Sequence, residues 1–201
     1  SPRGGQIVID AAYRAGERGV YVVDLASKRV SANLTSGGGR VPVYSKSGKT
    51  VYFTRGEGPG IWQLNPETGA TTLFLEGHGT ESVAESPDGK TLFFEHDDSL
   101  MAVPLVDGKA ATGAIRTIAK EVASFAPAAS GVYFLDVSGD IRFVANGSAT
   151  SRVLFHAGRQ PRALLQRGIS ISPDERWLVY TVASAGDTNL MMLESRTFQS
   201  P

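Results

Sequence analysis

The chain has 201 residues, with 20 basic and 20 acidic side chains and no cysteine. The balanced charge excludes the electrostatic pull of a nucleic-acid or anionic-lipid binder, and the lack of cysteine excludes a disulfide framework and a thiolate metal site. No run approaches the ~20 apolar residues of a membrane-spanning helix, so no membrane insertion and no direct nucleic-acid contact are expected.

The chain opens on the phrase Ser1-Pro2-Arg3-Gly4-Gly5-Gln6-Ile7-Val8-Ile9, which returns four times. The later copies start at Ser45, Ser86, Ala126 and Ser172, spacings of 44, 41, 40 and 46 residues. Each copy is a turn that runs into a strand. In Ser86-Pro87-Asp88-Gly89, Pro presets φ, Asp caps locally and Gly accepts positive φ. The residues that follow, Thr91 to Glu95, are β-branched and aromatic. A period of about 40 residues with several short strands per unit marks propeller blades.

The other strands follow in order. Third strands are read at Val20–Val23, Ile61–Leu64, Leu100–Val103, Ile141–Val144 and Leu190–Leu193. Fourth strands are read at Val30–Leu34, Thr71–Leu75, Ala114–Ile118 and Arg152–Phe155. Ser82–Ser86 is a short inner strand. His96-Asp97-Asp98-Ser99 forms a polar hairpin tip, and a solvated turn is the plainer reading of it than a cation site. The one candidate short helix is Arg162–Gln166.

The expected fold is all-β: a β-propeller of four-stranded antiparallel blades at about 1–35, 36–77, 78–121, 122–160 and 161–201. The first unit lacks an inner strand and the last lacks an outer one. The chain is therefore expected to be part of a six- to eight-bladed ring, with an upstream segment that completes it. Its end faces should leave Ile7, Ile9, Leu178 and Tyr180 under-covered.

No catalytic set emerges. There is no Gly-x-Ser-x-Gly elbow, and Gly37-Gly38-Gly39 has neither the Gly-Lys-Ser/Thr nor the helix of a phosphate loop. No cofactor, metal ligand or catalytic residue is assigned. Loops on a rigid scaffold are the usual carriers of binding. The connections before each inner strand (36–40, 77–81, 159–168) should share a face with the second-to-third-strand hairpins. Candidate ligand- or partner-binding residues on that face are Arg40, His78, Glu81, His96, Arg159, Arg162 and Arg167. The stretch from His156 to Arg167 carries three arginines and no acid, which suits an anionic ligand or an acidic partner.

The Ser-Pro-Asp-Gly-(Lys/Arg)-x-Leu-x-(Phe/Tyr) phrase resembles the WD-repeat-like propeller repeat of the TolB family, as do Val20-Tyr21-Val22-Val23-Asp24 and Ile61-Trp62-Gln63-Leu64. The run Gly168 to Thr181, then Asp187 to Glu194, is similar to the last blade of TolB-like propellers in acidobacterial-type regulators. Gly131-Val132-Tyr133-Phe134-Leu135-Asp136 looks like their penultimate blade. There the propeller follows a winged-helix DNA-binding domain or a Ser/Thr kinase domain. Two departures, Glu175 at the turn Gly and Ala128-Ala129 for Asp-Gly, bear on turn geometry rather than on fold.

The resemblance implies a non-enzymatic ligand-sensing or protein-interaction module of a larger bacterial regulatory protein. The alternatives are a propeller gating a prolyl-oligopeptidase-type serine hydrolase and a periplasmic TolB-like envelope scaffold. The compartment stays open between periplasm and cytoplasm, with the periplasm slightly favoured.

Overall fold

The computed structural model describes residues 1–12, 18–35, 38–55, 60–77, 82–158, 168–184 and 187–194, without the side chains of 182–189. The candidate helix at Arg162–Gln166 lies outside the described residues. No helix among them is long and apolar enough to cross a membrane. The chain divides into two compact units, 1–97 with 103–115, and 98–102 with 116–201.

In the first unit, β1 (Gln6–Ala12) pairs antiparallel with β2 (Arg18–Asp24). A four-stranded sheet follows in simple order: β3 (Arg40–Tyr44), β4 (Val51–Thr54), β5 (Gly60–Leu64) and β6 (Thr71–Glu76). Then β7 (Val83–Glu85) pairs with β8 (Thr91–His96). β9 (Ser99–Val106) ends by folding back as β10 (Lys109–Ala110).

In the second unit, the start of β9 carries β11 (Arg116–Ala119). β12 (Val122–Pro127), β13 (Gly131–Asp136), β14 (Asp140–Ala145) and β15 (Arg152–His156) make a second four-stranded sheet. β16 (Ile169–Ile171), β17 (Trp177–Ser184) and β18 (Asp187–Glu194) make a three-stranded one.

The repeated phrase folds as a hydrogen-bonded unit. At Ser86 the hydroxyl donates to Asp88 (2.6 Å) and accepts from the Thr91 N–H (2.9 Å), while Asp88 accepts from the Lys90 N–H (3.0 Å). Ser172 repeats these contacts with Asp174 and Trp177, and Asp174 with Arg176, at 2.6, 2.9 and 3.1 Å. The Ser hydroxyl thus closes the turn from inside and leads the chain into the next strand. Glu175, which stands where the turn Gly would be, keeps the same geometry: its φ is 55° and its N–H still donates to the Ser172 carbonyl. The copy with Ala128-Ala129 closes differently, by an Ala128 N–H bond to the Gly131 carbonyl at 2.8 Å. Gly131 has no room for a side chain, because a Cβ there would lie 2.1 Å from the Val144 carbonyl oxygen.

Two expected fourth strands form differently. Val30–Leu34 is not a regular strand, and only Val30 bridges to Val23. The hydroxyls of Ser31 and Thr35 take the N–H groups of Val22 and Val20, both at 3.0 Å, while the Ser31 and Leu34 N–H groups still donate to the Val22 and Val20 carbonyls, so side chains replace only the backbone acceptors in that ladder. At 114–118 the strand starts only at Arg116. Asp107 and Gly108, at φ 50° and 73°, make a tight hairpin that inserts β10, and a 3₁₀ turn at Thr112–Ala114 follows it.

The cores lie between successive sheets. In the first unit Val20, Val51, Phe53 and Leu64 pack with Val8, Leu34 and Trp62. In the second, Tyr133, Leu135, Ile141 and Phe143 pack with Ile169, Leu178 and Tyr180. This corrects the expected exposure of Leu178 and Tyr180, whereas Ile7 is exposed as expected. Leu178 and Tyr180 are only 0% and 4% exposed, because period-2 alternation turns them towards the β12–β15 sheet. Among the described residues the exposed large apolar side chains of the last sheet are Leu190, Met191 and Met192, and Ile7 is exposed in the first.

Candidate functional site

In the first unit the repeat turns lie side by side. A side chain built on Gly48 would touch Pro2 and Arg3, and one built on Gly89 would touch Lys46. The turns therefore occupy one end of the sheets. Arg40, which pairs with Thr54 at the start of β3, and His96, which closes β8, lie at the other end. The structure brings these two candidates to one face. His78, Glu81, Arg159, Arg162 and Arg167 lie outside the described residues. His96 Nε2 is 3.5 Å from the exposed Asp97 carboxylate, and Asp97 and Asp98 both adopt positive φ in the hairpin tip.

Ten residues after the first residue of three successive phrases stand Arg55, His96 and Asp136. All three are ionisable and all lie at the loop end of a second strand. Sequence reading missed Arg55 and Asp136, although this spacing could have found them.

In the second unit, Asp136 anchors a network. Its carboxylate accepts from the Ser138 hydroxyl (2.5 Å), the Ser138 and Asp140 N–H groups (3.0 and 2.9 Å) and Arg142 Nε (2.7 Å). Asp140 then meets Arg142 Nη2 at 3.3 Å and His156 Nδ1 at 2.8 Å. The arginine is thus neutralised within its own hairpin. His156 is positioned by Asp140, but the neighbouring Ser138 hydroxyl is committed to Asp136, so these contacts assemble no nucleophile–base pair.

Burial opposes the charge on Asp136, yet Ser138, the Asp140 N–H and Arg142 together hold its carboxyl below its ordinary value of 3.8. Asp88 and Asp174 are also held low, first by the Ser86 and Ser172 hydroxyls. A depressed carboxyl contributes stability that is present above the unfolded-state value and lost as pH falls through the folded one. Thermal unfolding followed by circular dichroism should therefore show the midpoint falling as pH drops below about 4. Asp136→Asn should be less stable at pH 7 but lose less between pH 7 and pH 3. An unchanged acid loss in that variant would remove Asp136 from the account.

In the first unit the corresponding positions carry different chemistry. Phe53 pairs with Trp62 across β4–β5 as Phe134 pairs with Arg142 across β13–β14. Where Asp136 meets Arg142, Arg55 instead stacks on Trp62, its guanidinium carbon 3.8 Å from the ring centre. Arg55 also lies 5.8 Å from the Phe53 ring and donates weakly to Thr71 Oγ1 at 3.4 Å. Its Nε is buried and has no hydrogen-bond partner. Among the described residues neither Arg55 nor Arg40 is paired with a carboxylate. No group of three or more His, Asp or Glu among the described residues is placed to hold a metal ion.

In sequence, no family model and no curated protein matches the chain. Solved structures do match. TolB from Acinetobacter baumannii aligns over 96% of this chain and 51% of its own, with TM-score 0.71 and 14% identity. The fold is a TolB-like β-propeller. A protein described as a TolB of Agrobacterium tumefaciens aligns over 96% of this chain and 68% of its own, with TM-score 0.68 and 15% identity. A puromycin-hydrolysing peptidase of Mycobacterium tuberculosis aligns over 98% of this chain and 37% of its own, with TM-score 0.68 and 16% identity. The chain spans about half the length of the Acinetobacter protein. In propeller terms the sheets above are blades, and Arg40, Arg55 and His96 belong to their loop ends.

Proposed function

We propose that this propeller is a non-enzymatic module that senses a ligand or binds a protein partner within a larger bacterial regulatory protein. The observation that carries the reading is the pair Arg40 and Arg55, two cations without a carboxylate among the described residues, at the loop end of one blade. Arg40 is exposed and Arg55 half-buried, and loop ends carried on a rigid scaffold are the usual carriers of binding. Among the described residues, the Ser138 hydroxyl near the His156–Asp140 pair is bonded to Asp136, which favours binding over acyl transfer. The likeness of the last two blades to those of winged-helix regulators and Ser/Thr kinases supports a regulatory setting.

The non-enzymatic reading makes a second expectation. The purified chain should release no product from p-nitrophenyl esters or from peptide anilides. Turnover abolished by a single Ser or His substitution would overturn the binding-module reading.

A further inference from the structure

We infer that the Arg55–Trp62 stack is an anchor for a carboxylate, with Arg40 supplying a second charge at the same blade end. The inference deepens the binding-module reading and rests on it. In the blade of β12–β15, the residue two past the second-strand Phe is Asp136, which neutralises Arg142 across the hairpin at 2.7 Å. In the blade of β3–β6, the same two positions are Arg55 and Trp62. The acid has been replaced by a base, and the base by an aromatic that holds it 3.8 Å away. Among the described residues, the carboxylate that one blade carries within itself has no counterpart beside Arg55 in the other.

The unpartnered Nε sharpens this. A buried N–H of a charged group without an acceptor is costly, so native structures leave few of them. Trp62 holds the guanidinium plane, which removes most of the ordering cost of binding a planar anion. A guanidinium offers its Nε–H and one Nη–H as a fork to the two oxygens of a carboxylate. Thr71 takes an Nη2 hydrogen only at 3.4 Å, a weak bond that a carboxylate would displace. Arg40 begins β3 opposite Thr54, the residue before Arg55, and its exposed side chain lies at the same end. The ligand is therefore a dicarboxylic acid or an acidic peptide side chain. Both present the same group.

The test uses Trp62 as reporter. Trp177→Phe leaves it the sole tryptophan of the chain, and the Arg55 Nε–H can be followed by NMR. Probes are succinate, a blocked hexaglutamate peptide, a blocked hexaglutamine peptide and inorganic phosphate. Succinate or hexaglutamate should shift Trp62 emission and the Arg55 Nε–H resonance in parallel, and whichever binds tighter identifies the source. Arg55→Lys keeps the charge but loses the fork, and should weaken binding about tenfold. Arg40→Ala should weaken it less, with the unfolding midpoint of both variants near that of the parent.

Unchanged affinity in Arg55→Lys would overturn the anchor while leaving the binding-module reading intact. So would phosphate binding more tightly than either carboxylate, or a parent that responds to none of the probes. The binding-module reading fails instead by turnover of the hydrolase substrates.

Discussion

Glu175→Ala should lower the thermal midpoint by about 5–8 °C, and Glu175→Gly by less. Glu175 occupies a turn position whose φ of 55° favours glycine. A side chain there costs ~1 kcal/mol of backbone strain. Its carboxylate reaches the preceding blade, accepting from the Ser130 N–H at 2.9 Å, the Tyr133 hydroxyl at 3.1 Å and, closely, the Ser130 hydroxyl.

Hydrogen bonds to a charged group contribute roughly 1.5–3 kcal/mol each when buried. This site is partly solvated, so about 2–3 kcal/mol for the set is the expected scale, and each kcal/mol moves the midpoint about 2–4 °C in a chain of this size. Alanine loses the bonds and keeps the strain. Glycine loses the bonds but relieves the strain, so the order should be parent, glycine, alanine. A glycine variant as stable as the parent would mean that the clasp does no more than offset the strained backbone.

Glu85 makes the corresponding reach in the first unit. It accepts from the Tyr52 hydroxyl at 3.2 Å and from the Lys46 N–H. Tyr52 and Tyr133 stand at the same place in their repeats, and burial, followed by the neighbouring glutamate, raises the phenol pKa of both. The two glutamates come from different places, one before the repeat Ser and one three residues after it. Each blade pair has thus reached the same tyrosine–glutamate contact by its own route.

The strand order was legible because each second strand is announced by a turn whose residues have defined jobs: Ser closes it, Asp caps it and Gly supplies positive φ. The clasp was not, since a glutamate in a glycine position reads as a defect until its partner blade is placed beside it. Val30–Leu34 misled for a related reason. Its Val, Ser and Leu read as an edge strand, and nothing local shows that Ser31 and Thr35 hydroxyls replace the backbone acceptors. The loop-face site was half legible. Arg40 and His96 were found from loop position, whereas Arg55 sits at a strand end, where a charge reads as a boundary residue. Only the match of Arg55 to Asp136, two repeats further on, singles the position out.

The two faces of the last sheet should respond oppositely to the same substitution. Alternation along β17 puts Leu178 and Tyr180 on the face packed against the preceding blade, and across the strands Thr181 and Val179 face Leu190 and Met192. The sequence is apolar on both faces, so it could not say which was covered. In the structure Leu178 is fully buried, whereas Leu190 and Met192 are 71% and 62% exposed. β18 is also the last strand of its sheet, paired on the β17 side alone among the described residues.

Leu178→Lys would place an unpaired ammonium in that core and should cost more than about 4 kcal/mol, enough to unfold the blade. Leu190→Lys with Met192→Lys should leave the midpoint within about 2 °C of the parent. It should also suppress self-association, because an exposed apolar edge strand pairs with other chains and lysine on such an edge prevents it. Sedimentation velocity over a concentration series decides the second claim. The parent should sediment faster as concentration rises, and the double-lysine variant should not. A parent that stays monomeric throughout would show that the apolar edge is not sticky and that the exposed Leu190 and Met192 carry no self-association.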